Sequence, residues 1–199
     1  IRINGENLRL DSCCLTEYER SLYTRYGELE SRIGCEMKSA GGVHLTARRF
    51  ASADNRRLFC HQLEISCEEG GVLELSTGIN GQITNSGVAH FDRMEARVFE
   101  HCRMFLECGC DDGQILSVMT VCSTGESRES AAFHLERRAV YQDFKKELQP
   151  GEVWTISKYT LFDVENRKES SGKTDGQVLV EMTDVLAEAL KAGYGELNR

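Results

Sequence analysis

Four groups of residues in this chain have the types from which chemistry is made: acidic doublets, a cysteine-rich stretch, five histidines and paired arginines. The doublets Glu68-Glu69 and Asp111-Asp112 hold carboxylates of the kind that general acid and base steps use. Each abuts glycine in a turn sequence, and neighbours within a turn do not face one another across the roughly 5 to 10 Å that paired carboxylates need. They read as solvated turn charges, and no catalytic residue is assigned to this chain. Cys102, Cys108 and Cys110, beside His101, offer thiolate and imidazole donors. A zinc site of the common type needs two close ligand pairs, and only Cys108-Gly109-Cys110 is tight. Alternation from Arg103 to Cys108 makes Cys102 and Cys108 inward strand residues instead, so no metal is expected. Cys13 and Cys14, as strand neighbours, point to opposite faces.

Among His44, His61, His90, His101 and His134, an acid or base needs a carboxylate on its own face. His61 and Glu64 stand three apart on one strand and so face opposite ways, whereas His134 and Glu136 share a face without a companion motif. Arg48-Arg49 and Arg56-Arg57 could clamp an anion, but ion pairing with the acidic surplus is the expected use. There is no Gly-x-Ser-x-Gly elbow, no dinucleotide fingerprint and no phosphate loop, since Gly172-Lys173-Thr174 lacks the upstream glycine.

These residues must be positioned mainly by strands. One proline stands against 18 glycines, and glycine turns separate segments of strand length with period-two alternation, as in Val43-Leu45-Ala47-Arg49 against His44-Thr46-Arg48-Phe50. Many strands with frequent turns predict an all-β sandwich or barrel. The loop from Gly78 to Gly87 sets three glycines and two asparagines between apolar strands, a composition suited to backbone conformations that other residues adopt at a cost. From Thr174 the spacing turns helical: Val178, Met182, Val185, Leu186 and Ala189 form one stripe, with Thr174 or Asp175 as the cap and Gly193 as the stop. Tyr194-Gly195-Glu196-Leu197 reads as the entrance to a further element.

Lys and Arg number 24 against 32 Asp and Glu, a net charge of -8 that repels nucleic acid. No apolar run approaches the roughly 18 residues a bilayer requires, so no membrane partner is expected. Nine cysteines in no recognisable framework point to reduced thiols and a cytoplasmic location. The opening Ile1-Arg2-Ile3-Asn4-Gly5 looks like a strand already entering a turn, the expected start of a piece cut from a longer chain.

The succession Arg49-Phe50, Asp54, Ser76-Thr77-Gly78-Ile79-Asn80-Gly81 and Thr84-Asn85-Ser86-Gly87, with Val153-Trp154-Thr155-Ile156 near the end, resembles the amino-terminal domain of glycoside hydrolase family 65. That family includes maltose, trehalose and kojibiose phosphorylases. The resemblance implies an antiparallel β-sandwich of the galactose-mutarotase-like super-sandwich type, truncated at its amino end, over residues 1–163. Residues 164–199 would be a loop and linker helix leading to a missing (α/α)6 catalytic barrel. It further implies a non-catalytic domain of an inverting disaccharide phosphorylase or related hydrolase, without a cofactor. Its partners would be its own barrel, the disaccharide substrate and a second copy in a homodimer. Asparagine amides hydrogen-bond sugar hydroxyls and glycine permits close approach, so Asn80, Asn85, Ser86 and His90 are the residues expected near substrate. A tightly turned connection is the alternative for that loop. A stand-alone carbohydrate-binding sandwich and a mutarotase-like epimerase are the alternatives for the whole chain.

Overall fold

The alternating segments form antiparallel strands in the computed structural model, which describes residues 1–84, 86–125, 132–166 and 175–199. In chain order these are β1 (Arg2–Ile3), β2 (Glu6–Asn7), β3 (Cys14–Tyr23), β4 (Glu28–Met37), β5 (Gly41–Ala51), β6 (Leu58–Cys67) and β7 (Gly71–Asn80). They continue as β8 (Phe91–Phe99), β9 (Arg103–Cys110), β10 (Gln114–Ser123), β11 (Ala132–Glu136), β12 (Ala139–Leu148) and β13 (Val153–Asn166). A larger sheet has the order β3-β4-β5-β6-β13-β10-β9-β8, and a smaller one β11-β12-β7-β1-β2. The sandwich expected from the strand pattern is present.

Period-two alternation assigns each face of the larger sheet to a different core. Val43, Leu45, Ile65, Trp154 and Ile156 pack with Ile3, Leu73, Leu75 and Val140 of the smaller sheet. Phe50, Cys60, Val121, Tyr159 and Leu161 point the other way, onto a pair of helices, α1 (Asp175–Ala192) and α2 (Tyr194–Leu197). The helical stripe of Val178, Met182, Leu186 and Ala189 is buried there, while Val180 on the opposite side stays exposed. An 18-residue helix is marginal alone in water, and burying each of its large apolar side chains contributes about 2 kcal/mol. Arg57 adds a polar clasp, donating to Asp163 of β13 and Glu181 of α1.

Several local features depart from the sequence pattern. β13 carries on to Asn166, because Gln114 to Ser123 of β10 pairs with it along its last ten positions. Cys102 closes a 3-10 turn (Glu100–Cys102) at φ 59° rather than sitting inside a strand; of the two, Cys108 is the buried strand residue. Gly193 stops α1 with its N–H donating to Ala189 O and its backbone at φ 78°, ψ 166°, a conformation open to glycine. The following Tyr194 starts the short α2, packs edge-on against Phe50 at 5.1 Å and donates its hydroxyl to Glu28. Thr174, one of the two proposed caps, lies outside the described residues.

Among the described residues no helix is long and apolar enough to cross a membrane. The larger sheet outreaches the smaller one at β3 and β4. There Tyr18 pairs with Ile33 and Leu22 with Leu29, and Tyr18 and Leu22 remain exposed on an edge strand.

Candidate functional site

The strand register places three basic residues in one row on the inner face of the larger sheet. Arg49 of β5 pairs with His61 of β6, and His61 pairs with Lys158 of β13. Paired positions on adjacent strands bring side chains to about 5 Å at Cβ, close enough for Arg49 and Lys158 to oppose protonation of His61. Opposite them the smaller sheet contributes Thr77 and Gly78 of β7. Lys158 spans the gap between the layers, its ammonium donating to Gly78 O at 2.6 Å and Thr77 Oγ1 at 3.3 Å. Gly78 is required by close packing: a Cβ there would run into the backbone carbonyl of Val140 on β12. The cleft so formed has a volume of about 350 Å³, with Ser31, Leu63, Leu75, Ser76 and Ile156 also on its walls.

No carboxylate lines this cleft. Among the described residues, Arg49 and Lys158 form no ion pair, and neither ring nitrogen of His61 has a hydrogen-bond partner. The edge of the Phe59 ring stands against His61 at 4.6 Å. Burial first, then Lys158 and Arg49, push the His61 pKa down to about 4. Burial also lowers that of Lys158. Arg48, next to Arg49, shows the contrast. It faces the helical side, donating to Glu30 at 2.7 Å and Glu64 at 2.8 Å, so His61 and Glu64 do lie on opposite faces. Burial raises the Glu30 pKa, but Arg48 and Arg32 outweigh it and hold the carboxyl low.

Among the described residues, those expected near substrate have separate local partners. Asn80 ends β7 with its Oδ1 accepting from Gln82 N at 2.8 Å, an Asx turn that occupies the side chain locally. Ser86, at φ 51°, and Gly87, at φ 80°, form an exposed turn, and Asn85 lies outside the described residues. His90 is drawn to Asp111, with Nδ1 at 2.6 Å from Oδ2; the bond to His90 holds the Asp111 carboxyl low. The described residues of the loop lead from the smaller sheet to the edge strand β8, and Gln82 fastens them by donating to Glu136 and to Arg137 O. It leaves Ile83 and Val88 exposed at its surface.

His134 shares its face with Glu136, as its spacing requires, yet its partner is Asp143 of the neighbouring strand at 2.6 Å. It stacks on Tyr141 at 5.0 Å. Glu68, Glu69, Asp111 and Asp112 are all exposed at turns. All nine cysteines are free thiols, and no cluster of metal-ligating side chains occurs among the described residues. Sequence reasoning missed Lys158 and the use of His61. Their inward alternation was readable, but the register that aligns β5, β6 and β13 was not.

Residues 1–199 match the family described as glycosyl hydrolase family 65, N-terminal domain. The chain belongs to that family. This family 65 N-terminal domain is 24% identical over 189 residues to a kojibiose phosphorylase of Escherichia coli (strain K12), covering 94% of this chain and 25% of that protein. It is 26% identical over 175 residues to a kojibiose phosphorylase of Halothermothrix orenii, covering 83% and 22% respectively. A solved structure named as a candidate kojibiose phosphorylase from human microbiome superposes with a TM-score of 0.86 at 16% identity. That match covers 98% of this chain and 25% of the other, and it shows the same fold. The domain thus spans about a quarter of the length of the curated relatives it matches.

Proposed function

We propose that this domain is the non-catalytic N-terminal part of an inverting disaccharide phosphorylase, packing beside a catalytic (α/α)6 barrel that supplies the general acid and binds phosphate. The observation that carries this reading is coverage: the chain corresponds along 94% of its length to one quarter of a protein named kojibiose phosphorylase. The exposed apolar residues support it. Ile83 and Val88 on the 81–90 loop are 65% and 55% exposed, and Tyr18 and Leu22 stand uncovered on the edge strand β3. Apolar groups on one loop and one edge suit a surface covered by further protein. In this reading the loop reaches toward the mouth of the barrel, where the Asn80, Asn85, Ser86 and His90 segment stands near the disaccharide. The location is cytoplasmic, in keeping with nine free thiols, and a homodimer is the natural assembly.

The test is phosphorolysis of kojibiose by the complete protein. Ile83→Asp and Val88→Asp each place a charge in the covered surface and are expected to lower kcat/KM on the order of tenfold, about 1.4 kcal/mol. Values equal to the unaltered protein's would sink the supporting role of the loop. Catalysed anomerisation of free glucose that disappears in His134→Ala would replace the whole reading by that of a sugar epimerase.

A further inference from the structure

We propose that the cleft between the two sheets, bounded by Arg49, His61, Lys158 and Thr77, is a binding site for a small phosphate-class anion, free or carried on a sugar. The inference does not depend on the phosphorylase reading, because it rests on an imbalance of charge within the fold. A chain with eight more acidic than basic residues has pairing partners in abundance. It uses them for Arg48, Arg57, Arg32 and Arg2. Yet three basic side chains on adjacent strands share one cleft with no carboxylate on its walls. Arg49 and Lys158 flank the neutral His61 ring as two cations with no counter-charge on the cleft walls, a gap that an anion would fill.

The donors are also incomplete in a way that points into the cleft. An ammonium has three N–H groups, and two of those on Lys158 are engaged by Thr77 and Gly78. The third is left for the cleft. The Arg49 guanidinium offers a planar fork of the kind that grips phosphate by two hydrogen bonds, and it has no competing ion pair among the described residues. His61 supplies a further donor once protonated. Burial is the first cause of the ring's neutrality, but an anion between Arg49 and Lys158 offsets the repulsion they add, so binding and protonation of His61 reinforce each other.

Size bears on the class of ligand. A volume of about 350 Å³ lies at the lower end of the roughly 300–1,000 Å³ of small-molecule sites, more than a bare phosphate occupies. Leu63, Leu75 and Ile156 give apolar wall beside the hydroxyls of Ser31 and Ser76, the mixture that a sugar ring with its hydroxyls would meet. The groups facing His61 are Arg49 from β5, Lys158 from β13 and Thr77 from β7; no acidic group faces it from any of them.

The experiment follows the ring signals of His61 by NMR in the complete protein with isotope-labelled histidine, assigned through His61→Gln. Inorganic phosphate and a hexose phosphate are titrated separately, each against chloride at equal ionic strength. This readout is local to the cleft, so anion binding elsewhere in the protein does not register. Expected are a saturable shift of the His61 signals with phosphate and a rise in the pH at which the ring titrates. Affinity should fall on the order of tenfold or more in Arg49→Gln. It should recover in part in Arg49→Lys, which keeps the charge but loses the fork. Arg49 is exposed, so neither variant threatens the fold. Tighter binding of the hexose phosphate assigns the ligand as a sugar phosphate, and tighter binding of inorganic phosphate assigns the free anion. His61 signals that ignore both, or that move equally with chloride, overturn the proposal.

Discussion

Acid should weaken this fold through His61 before its carboxylates begin to titrate. The ring has a pKa pushed down to about 4 in the fold, against 6.5 in an unfolded chain. Between those two values the unfolded chain binds a proton that the folded one refuses, so stability falls as pH falls from 6.5 toward 4 and levels off below. Each pKa unit corresponds to about 1.4 kcal/mol, which sets a ceiling of roughly 3 kcal/mol. The cleft is open to solvent, and screening of its charges brings the expected loss to about 1–2 kcal/mol. Urea unfolding of the unaltered protein and of His61→Gln, followed across this pH range, isolates the effect. The carboxylates with lowered pKa, Asp11, Glu30, Asp111 and Glu152, act equally in both proteins. The stability of the unaltered protein relative to His61→Gln should fall by that amount as pH falls, because only the unaltered protein bears the penalty. Curves that stay parallel from pH 6.5 to 4 would refute the account of His61 as a ring kept neutral by burial, Lys158 and Arg49.

Three further outcomes are expected. Leu186→Ala removes a fully buried side chain between α1 and the larger sheet and should cost about 2–5 kcal/mol in denaturant unfolding; α1 amides that exchange freely in the unaltered protein would contradict that docking. Gly78→Ala forces β7 away from the Val140 carbonyl and should cost about 1–3 kcal/mol, read as a lower denaturation midpoint, whereas an unchanged midpoint would show that the strands do not approach so closely. In thiol alkylation followed by mass spectrometry, the exposed Cys14 should react first; burial pushes Cys60 and Cys122 up to about 12 and Cys108 to about 11, so these should label only on unfolding, and uniform labelling of all nine would count against the two cores.

Much of the architecture was legible because it rests on periodicity. Alternation in Val43 to Phe50 and Val153 to Thr160 fixed which residues turn inward, and the stripe Val178-Met182-Leu186-Ala189 fixed the buried face of α1. Charged partners were less legible. Glu136 lies two residues from His134, a separation of about 6.6 Å along a strand. On the neighbouring strand Tyr141 stands opposite His134, and Asp143, its diagonal neighbour opposite Ala132, reaches across to it. Similarly, nothing in the sequence announces that Asn80 turns its side chain to Gln82 rather than outward.

By itself the sequence determined the β-sandwich, the terminal helix and the family, since these depend on local periodicity, turn chemistry and the order of motifs along the chain. Tertiary structure alone decided that Arg49, His61 and Lys158 form one row and that Thr77 and Gly78 close it from the other sheet. The physical reason is register. A strand shows its own alternation to any reader of the chain, but which residue stands opposite which is settled only when whole faces are buried together, and a slip of one position would send each of these side chains to the other face.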